Sequence, residues 1–174
     1  SANHERSLEA CYSTLLEMIA HPIDSRYVLA TVEHNGVAKP AVEVPFRIQF
    51  PGFSLYPDVE TPVHYIGFID AILYDTLRDR YIVADVKTTR KYRNDYTAMF
   101  ARDSQCLPYS YVLQKALNQP ADALDVLYFV AYVDAMNPRV LTYEFPKSAA
   151  TIQAWAFDFA FELSNLRQYA ALGF

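Results

Sequence analysis

The chain has 174 residues, with 15 basic and 20 acidic side chains and a formal net charge of −5. A hydrophobic content of 52% with 20% charged residues excludes intrinsic disorder, and the length suits one domain with a core better than two. No apolar run approaches the about 20 residues that cross a bilayer. Two cysteines, Cys11 and Cys106, cannot build a disulfide framework or a four-thiolate metal site, and the acidic balance argues against coating nucleic acid by bulk charge.

Residues 4–20 place Leu8, Cys11, Tyr12, Leu15, Leu16 and Ile19 at helical spacing, so an amphipathic helix is expected to end before Pro22. Residues 41–50 alternate Val42, Val44, Phe46 and Ile48 against Glu43, Arg47 and Gln49, the pattern of a half-buried strand. Pro45 inside it points to an edge or a bulge. Residues 51–62 carry three prolines and a glycine and read as a loop. Two apolar runs, 64–74 and 80–88, flank a polar stretch and read as a β-hairpin. In the second run Tyr81-Ile82-Val83-Ala84 has no polar residue on either face, as a strand covered on both sides requires.

Residues 104–118 then fit a helix, 124–133 and 140–145 two strands, and 148–169 a long aromatic-rich helix. Trp155, Phe159, Leu163 and Leu166 form its apolar side, and Phe157, Phe159 and Phe161 are expected to help fill the core. The order α-β-β-β-α-β-β-α implies an α/β fold, with one central mixed sheet flanked by helices. No linker divides the chain, so residues 1–174 are expected to form a single domain, which a longer protein could contain.

The chemistry concentrates on the hairpin. Asp70 closes Tyr65-Ile66-Gly67-Phe68-Ile69-Asp70, and Asp85-Val86-Lys87 ends the second strand. Asp85 and Lys87 point the same way because they are two apart on a strand. Hairpin pairing can bring Asp70 near Asp85, and two converging carboxylates are costly unless a cation neutralises them. A hard ion such as Mg²⁺ suits oxygen ligands, can activate water and can polarise a phosphate, while Lys87 holds developing negative charge. An Asp-x-Lys triplet by itself is common and carries little. On the following helix Gln105 and Tyr109 are four apart and share a face. Residues 87–102 hold five basic side chains against one acidic, including Arg90, Lys91 and Arg93, a local positive charge suited to a phosphate backbone. Tyr92 and Tyr96 beside it are candidate base-stackers.

Glu43-Val44-Pro45-Phe46, Gly67-Phe68-Ile69-Asp70, Val83-Ala84-Asp85-Val86-Lys87-Thr88-Thr89, and Gln105 followed by Tyr109 together resemble the PD-(D/E)xK nuclease superfamily. Within it the sequence is most similar to RecB-like exonucleases, including phage recombination and CRISPR adaptation nucleases. The resemblance covers roughly residues 40–135 and implies a restriction-endonuclease-like core. It implies that Asp70, Asp85 and the Val86 carbonyl are metal ligands, with Glu43 as an accessory ligand. Lys87 would be the catalytic lysine, and Gln105 and Tyr109 the glutamine-x-x-x-tyrosine helix motif. Ile69 stands where the family name has proline.

Many RecB-like members add a histidine ligand. His4 and His21 flank the first helix without a recognisable motif, and His34 and His64 read as loop and strand residues. Some relatives carry an iron–sulfur cluster on four cysteines. This chain has two, and Cys106 reads as a small buried thiol, so no such cluster is expected within it.

The expected function is a Mg²⁺- or Mn²⁺-dependent DNA nuclease, an exonuclease of recombination or repair. Its partner would be DNA with ends, single- or double-stranded, with no membrane and with room for a partner protein or helicase domain. With no basic-then-apolar leader in the sequence, the expected setting is bacterial or phage-infected host cytoplasm. One alternative is a nuclease fold retained as a nucleic-acid- or protein-binding module without cleavage. Another is a site-specific or structure-selective endonuclease sharing the same chemistry. A retired nuclease tends to lose a carboxylate or the lysine, and here Asp70, Asp85, Lys87, Gln105 and Tyr109 are all present.

Overall fold

Strand β6 (Arg80–Thr89) runs through the centre of a six-stranded sheet in a computed structural model of the chain. The structure describes residues 8–34, 36–50, 63–89, 98–100, 103–117, 124–134 and 136–173. Ile82, Val83 and Ala84 are almost fully buried, as expected for a strand apolar on both faces. On one side β6 pairs antiparallel with β5 (Val63–Asp75), and on the other parallel with β7 (Leu124–Tyr132). Antiparallel β8 (Arg139–Lys147) follows β7. The other edge of β5 is shared by β1 (Tyr27–Leu29) and β4 (Val42–Phe50). β4 lies at the rim of the sheet, where Pro45 is tolerated. Apart from the sheet stands a small hairpin of β2 (Thr31–His34) and β3 (Val37–Pro40).

Among the described residues, three long helices cover the sheet. Helices α2 (Cys106–Leu117) and α3 (Ala149–Ala171) pack on one face, where Ile72, Val83, Val126, Tyr128 and Val130 meet Leu107, Leu113 and Ile152. α3 starts where Ser148 accepts a hydrogen bond from the Thr151 N–H at 3.1 Å, an N-cap. The opposite face, with Leu73, Ile82, Ala84 and Leu127, carries α1 (Leu8–Ala20) over β7 and β8. His21, just past α1, bonds Thr142 on that face at 3.0 Å.

Two expectations about helix faces are corrected. α1 rests on Ala10 and Thr14, while Leu8, Tyr12, Leu15, Leu16 and Ile19 are exposed. Small residues let its backbone come close, and the Thr14 hydroxyl bonds the carbonyls of Ala10 (2.7 Å) and Tyr132 (3.4 Å). On α3, Phe157, Phe161 and Leu166 are exposed, whereas Leu163 is buried and Phe159 packs beside Trp155 and Tyr65. Strands β1, β2 and β3 are additions to the expected order. The Asn35-Gly36 pair between alternating runs is a two-residue hairpin signal that would have located β2 and β3, and Gly36 takes φ +75° there.

At the end of β6 remote from Lys87, charged residues form a network. Arg26 and Arg78 pair with Glu144, Arg78 pairs with Asp125 at 2.7 Å, and Arg80 also meets Asp125. Tyr27 donates to Glu144 at 2.8 Å. Burial pushes the Glu144 carboxyl up, but the bonds from Tyr27 and Arg78 and the charges of Arg26 and Arg78 outweigh it and leave it below its usual range. The ionised form therefore contributes stability above pH about 4.3, and that contribution is lost as pH falls through the depressed folded value. Glu144→Gln is expected to cost about 2 kcal/mol at neutral pH in denaturant titrations, with the deficit closing toward pH 3.

The first half of β5 extends past β6 and pairs with β4 alone among the described residues, forming a two-stranded arm. Its inner face lies on the helices: Phe46 meets Tyr109 (5.8 Å) and Tyr65 meets Trp155 (6.1 Å) and Phe159 (5.2 Å). The Phe46 ring covers Gly67, where an added Cβ would stand 2.7 and 2.9 Å from ring carbons. Gly67→Ala must displace a ring held between Tyr65 and Tyr109, so a loss of about 1–3 kcal/mol is expected in thermal unfolding.

Candidate active site

The site forms where β5 and β6 part. Their ladder pairs Ala71 with Ala84 and stops there. Beyond that pair the Asp70 side chain replaces the strand backbone, its Oδ2 accepting the Val86 N–H at 2.9 Å. β5 also changes its buried side at this point. Ile69 packs on the α2–α3 face, Ala71 and Leu73 face the other way, and Ile72 returns to the helices. On β4, Glu43 sits between the pairs Val42–Ala71 and Val44–Ile69, hence level with Asp70, in the left-handed region at φ +50°. Such a conformation is costly for glutamate and accompanies the bend of both strands.

Asp85 points to the α2 face and is 1% exposed. Its Oδ2 lies 2.8 Å from Lys87 Nζ, a buried ion pair. Burial raises the Asp85 carboxyl above its usual range, and the charge of Asp70 adds to this while Lys87 opposes it. Burial would lower the Lys87 ammonium, but Asp85 outweighs it and leaves the lysine above its ordinary value. Lys87 also donates to the Gln105 side-chain oxygen, and Gln105 in turn bonds the Tyr109 hydroxyl. Burial raises the Tyr109 phenol. Cys106, fully buried beside this group, is pushed up to about 12 by burial, which keeps it an inert thiol.

The structure thus brings together Asp70, Asp85, Val86, Lys87, Gln105 and Tyr109. Glu43 is exposed on β4, and among the described residues no three His, Cys, Asp or Glu side chains gather at one point. His21 bonds Thr142 and His64 bonds Arg47 at 3.3 Å, while His34 belongs to β2. His4, Arg90, Lys91, Tyr92, Arg93 and Tyr96 lie outside the described residues. Sequence reading missed Asp103, whose Oδ1 accepts the Gln105 N–H at 2.8 Å. An Asp just ahead of a helical pattern is a capping signal that could have found it.

A model of the PD-(D/E)XK nuclease superfamily matches residues 5–171. The chain belongs to that superfamily. Membership points to a nuclease acting on nucleic acid, and its members generally use divalent metal ions such as Mg²⁺. No curated protein matches the chain. Solved structures do, among them the crystal structure of SSO0001, with 20% identity and a TM-score of 0.41. That match covers 69% of this chain, which spans about half (48%) of the other.

The donor set fits a hard divalent cation. The buried Asp85 carboxylate, the Asp70 carboxylate and the adjacent Val86 carbonyl would offer oxygen donors only, and Mg²⁺ would retain waters at its remaining positions. Lys87→Ala removes a cation competing for Asp85, so Mn²⁺ affinity by calorimetry is expected to stay level or tighten. Asp85→Asn is expected to weaken it by about tenfold or more.

Proposed function

We propose that this superfamily member is a Mg²⁺- or Mn²⁺-dependent deoxyribonuclease of the RecB-like branch. In this reading it is one domain that degrades DNA from ends during recombination or repair. The observation that carries this reading is the unbroken series Asp70, Asp85, Lys87, Gln105 and Tyr109 at the mouth of the β5–β6 hairpin. Membership supports the nuclease chemistry, and the four matching segments of sequence support the branch.

Hydrolysis forms one oxygen–phosphorus bond from water, breaks another, and gives the leaving oxygen a proton. Asp70, Asp85 and the Val86 carbonyl would hold the cation, which when bound supplies Lewis acidity to the scissile phosphate and lowers the pKa of water. Lys87, raised above its ordinary value, stays charged at neutral pH. It therefore acts as a hydrogen-bond donor and a fixed positive charge toward the phosphate, not as a base. Gln105 holds the ammonium in place, and Tyr109 holds Gln105. Arg90, Lys91, Arg93 and Tyr92 supply the cations and the aromatic face for the DNA backbone and a base. No described helix is long and apolar enough to cross a membrane.

The test is cleavage of end-labelled linear and covalently closed circular DNA with Mg²⁺, Mn²⁺ or EDTA, with Asp85→Ala as control. Metal-dependent loss of linear DNA, absent in the mutant, with the circle intact, is the expected result. Cleavage of the circle would replace the exonuclease by an endonuclease. DNA binding with no cleavage under any condition would replace both by a binding module.

A further inference from the structure

We propose that Lys147 is a positioning residue for this site, holding the turn ahead of α2 so that Gln105 meets Lys87. The inference rests on the nuclease reading above. Lys147 ends β8 at the far edge of the sheet, where a lysine ordinarily keeps its ammonium in water. Here the residue is 4% exposed, and its Nζ donates to the carbonyls of Phe100 and Asp103 at 3.1 Å each. Burial holds the ammonium below the usual lysine range, with nearby Cys106 and Asp103 acting in the opposite sense. One buried cation thus fastens both ends of the stretch that leads into α2.

From that anchor a continuous polar path reaches the reacting groups. The Asp103 N–H returns to the Phe100 carbonyl at 3.2 Å, which keeps the two carbonyls together for the ammonium. Phe100 is stacked on Tyr128 at 4.7 Å, and Tyr128 stands opposite Asp85 in the parallel ladder. Asp103 Oδ1 accepts the Gln105 N–H, Gln105 accepts from Lys87, and Lys87 pairs with Asp85. An apolar side chain of lysine's length would fill the space but withdraw the ammonium from both carbonyls, and the link between Phe100 and Asp103 would then rest on the Asp103 N–H without that cation. The turn would then relax, and Gln105 would no longer be set against Lys87. The bonds of Lys147 to Phe100 and Asp103 end on backbone carbonyls, so the effect argued here passes through Gln105.

The experiment compares Lys147→Met, Asp103→Ala and the double variant with the wild-type protein. The readouts are kcat, KM, thermal midpoint and amide exchange. Lys147→Met is expected to lower kcat by about tenfold to a hundredfold with KM within about twofold, since small misplacements near the chemistry cost that much. The double variant is expected to be no slower than the worse single one, because both act through one path. Amides of Gln105 and Leu107 should exchange faster while those of β6 and β7 keep their protection. Wild-type kcat in Lys147→Met, multiplying single effects, or faster exchange throughout the sheet would each overturn the proposal. A wild-type protein that cleaves nothing would sink the nuclease reading instead. Exchange at Gln105 then decides the link to Lys147 alone, local acceleration supporting it and unchanged rates overturning it.

Discussion

A carboxylate buried at the centre of a protein is the constraint on which the rest of this structure depends. Asp85 sits in the middle strand with almost no access to water, where an unpaired charge would cost several kcal/mol. The fold answers with Lys87 two residues along the same strand, an arrangement available only because alternate side chains share a face. That ammonium would in turn be left short of acceptors, and the turn leading into α2 supplies Gln105. Each polar group near the hairpin mouth thus completes the one before it.

The opposite end of the sheet solves a similar problem differently. Arg26, Arg78 and Arg80 meet Asp24, Asp75, Asp125 and Glu144 in a chain of pairs, with Tyr27 completing Glu144. Such a cluster ties together the ends of β5, β6, β7 and β8. At the Lys87 end the acidic groups outnumber their local cation, since Asp70 and Asp103 both act on Asp85 in the raising sense. At one end of β6 each acid has an arginine beside it, and at the other Asp85 stands among further carboxylates.

Much of this was legible in the sequence because the strong signals are local. The all-apolar Tyr81–Ala84 stretch predicts a central strand, and the shared face of Asp85 and Lys87 follows from period two. Gln105 and Tyr109 follow from helical spacing, and the structure links them by a hydrogen bond. What was hidden depends on distant partners. Periodicity identifies a helix α1 but cannot say that its small side, Ala10 and Thr14, is the one that docks, because that choice belongs to the β7–β8 surface. Lys147 follows an ordinary strand pattern, and nothing near it in the chain shows that its ammonium reaches carbonyls more than forty positions away. The change of face at Asp70 is equally silent, since it arises from the pairing of β4 and β5 and the unusual backbone of Glu43.

β5 is one uninterrupted strand of 13 residues, roughly 40 Å of backbone, and it serves two bodies. Its second half is locked into the sheet on both edges, and its first half carries the arm that leans on α2 and α3. No loop lies between the halves, so the arm and the Asp70 carboxylate are parts of one lever with its fulcrum at Asp70. The position of Asp70 is therefore tied to that of the arm, and the arm is fixed in turn by Tyr65 packing edge-on against the stacked Trp155 and Phe159.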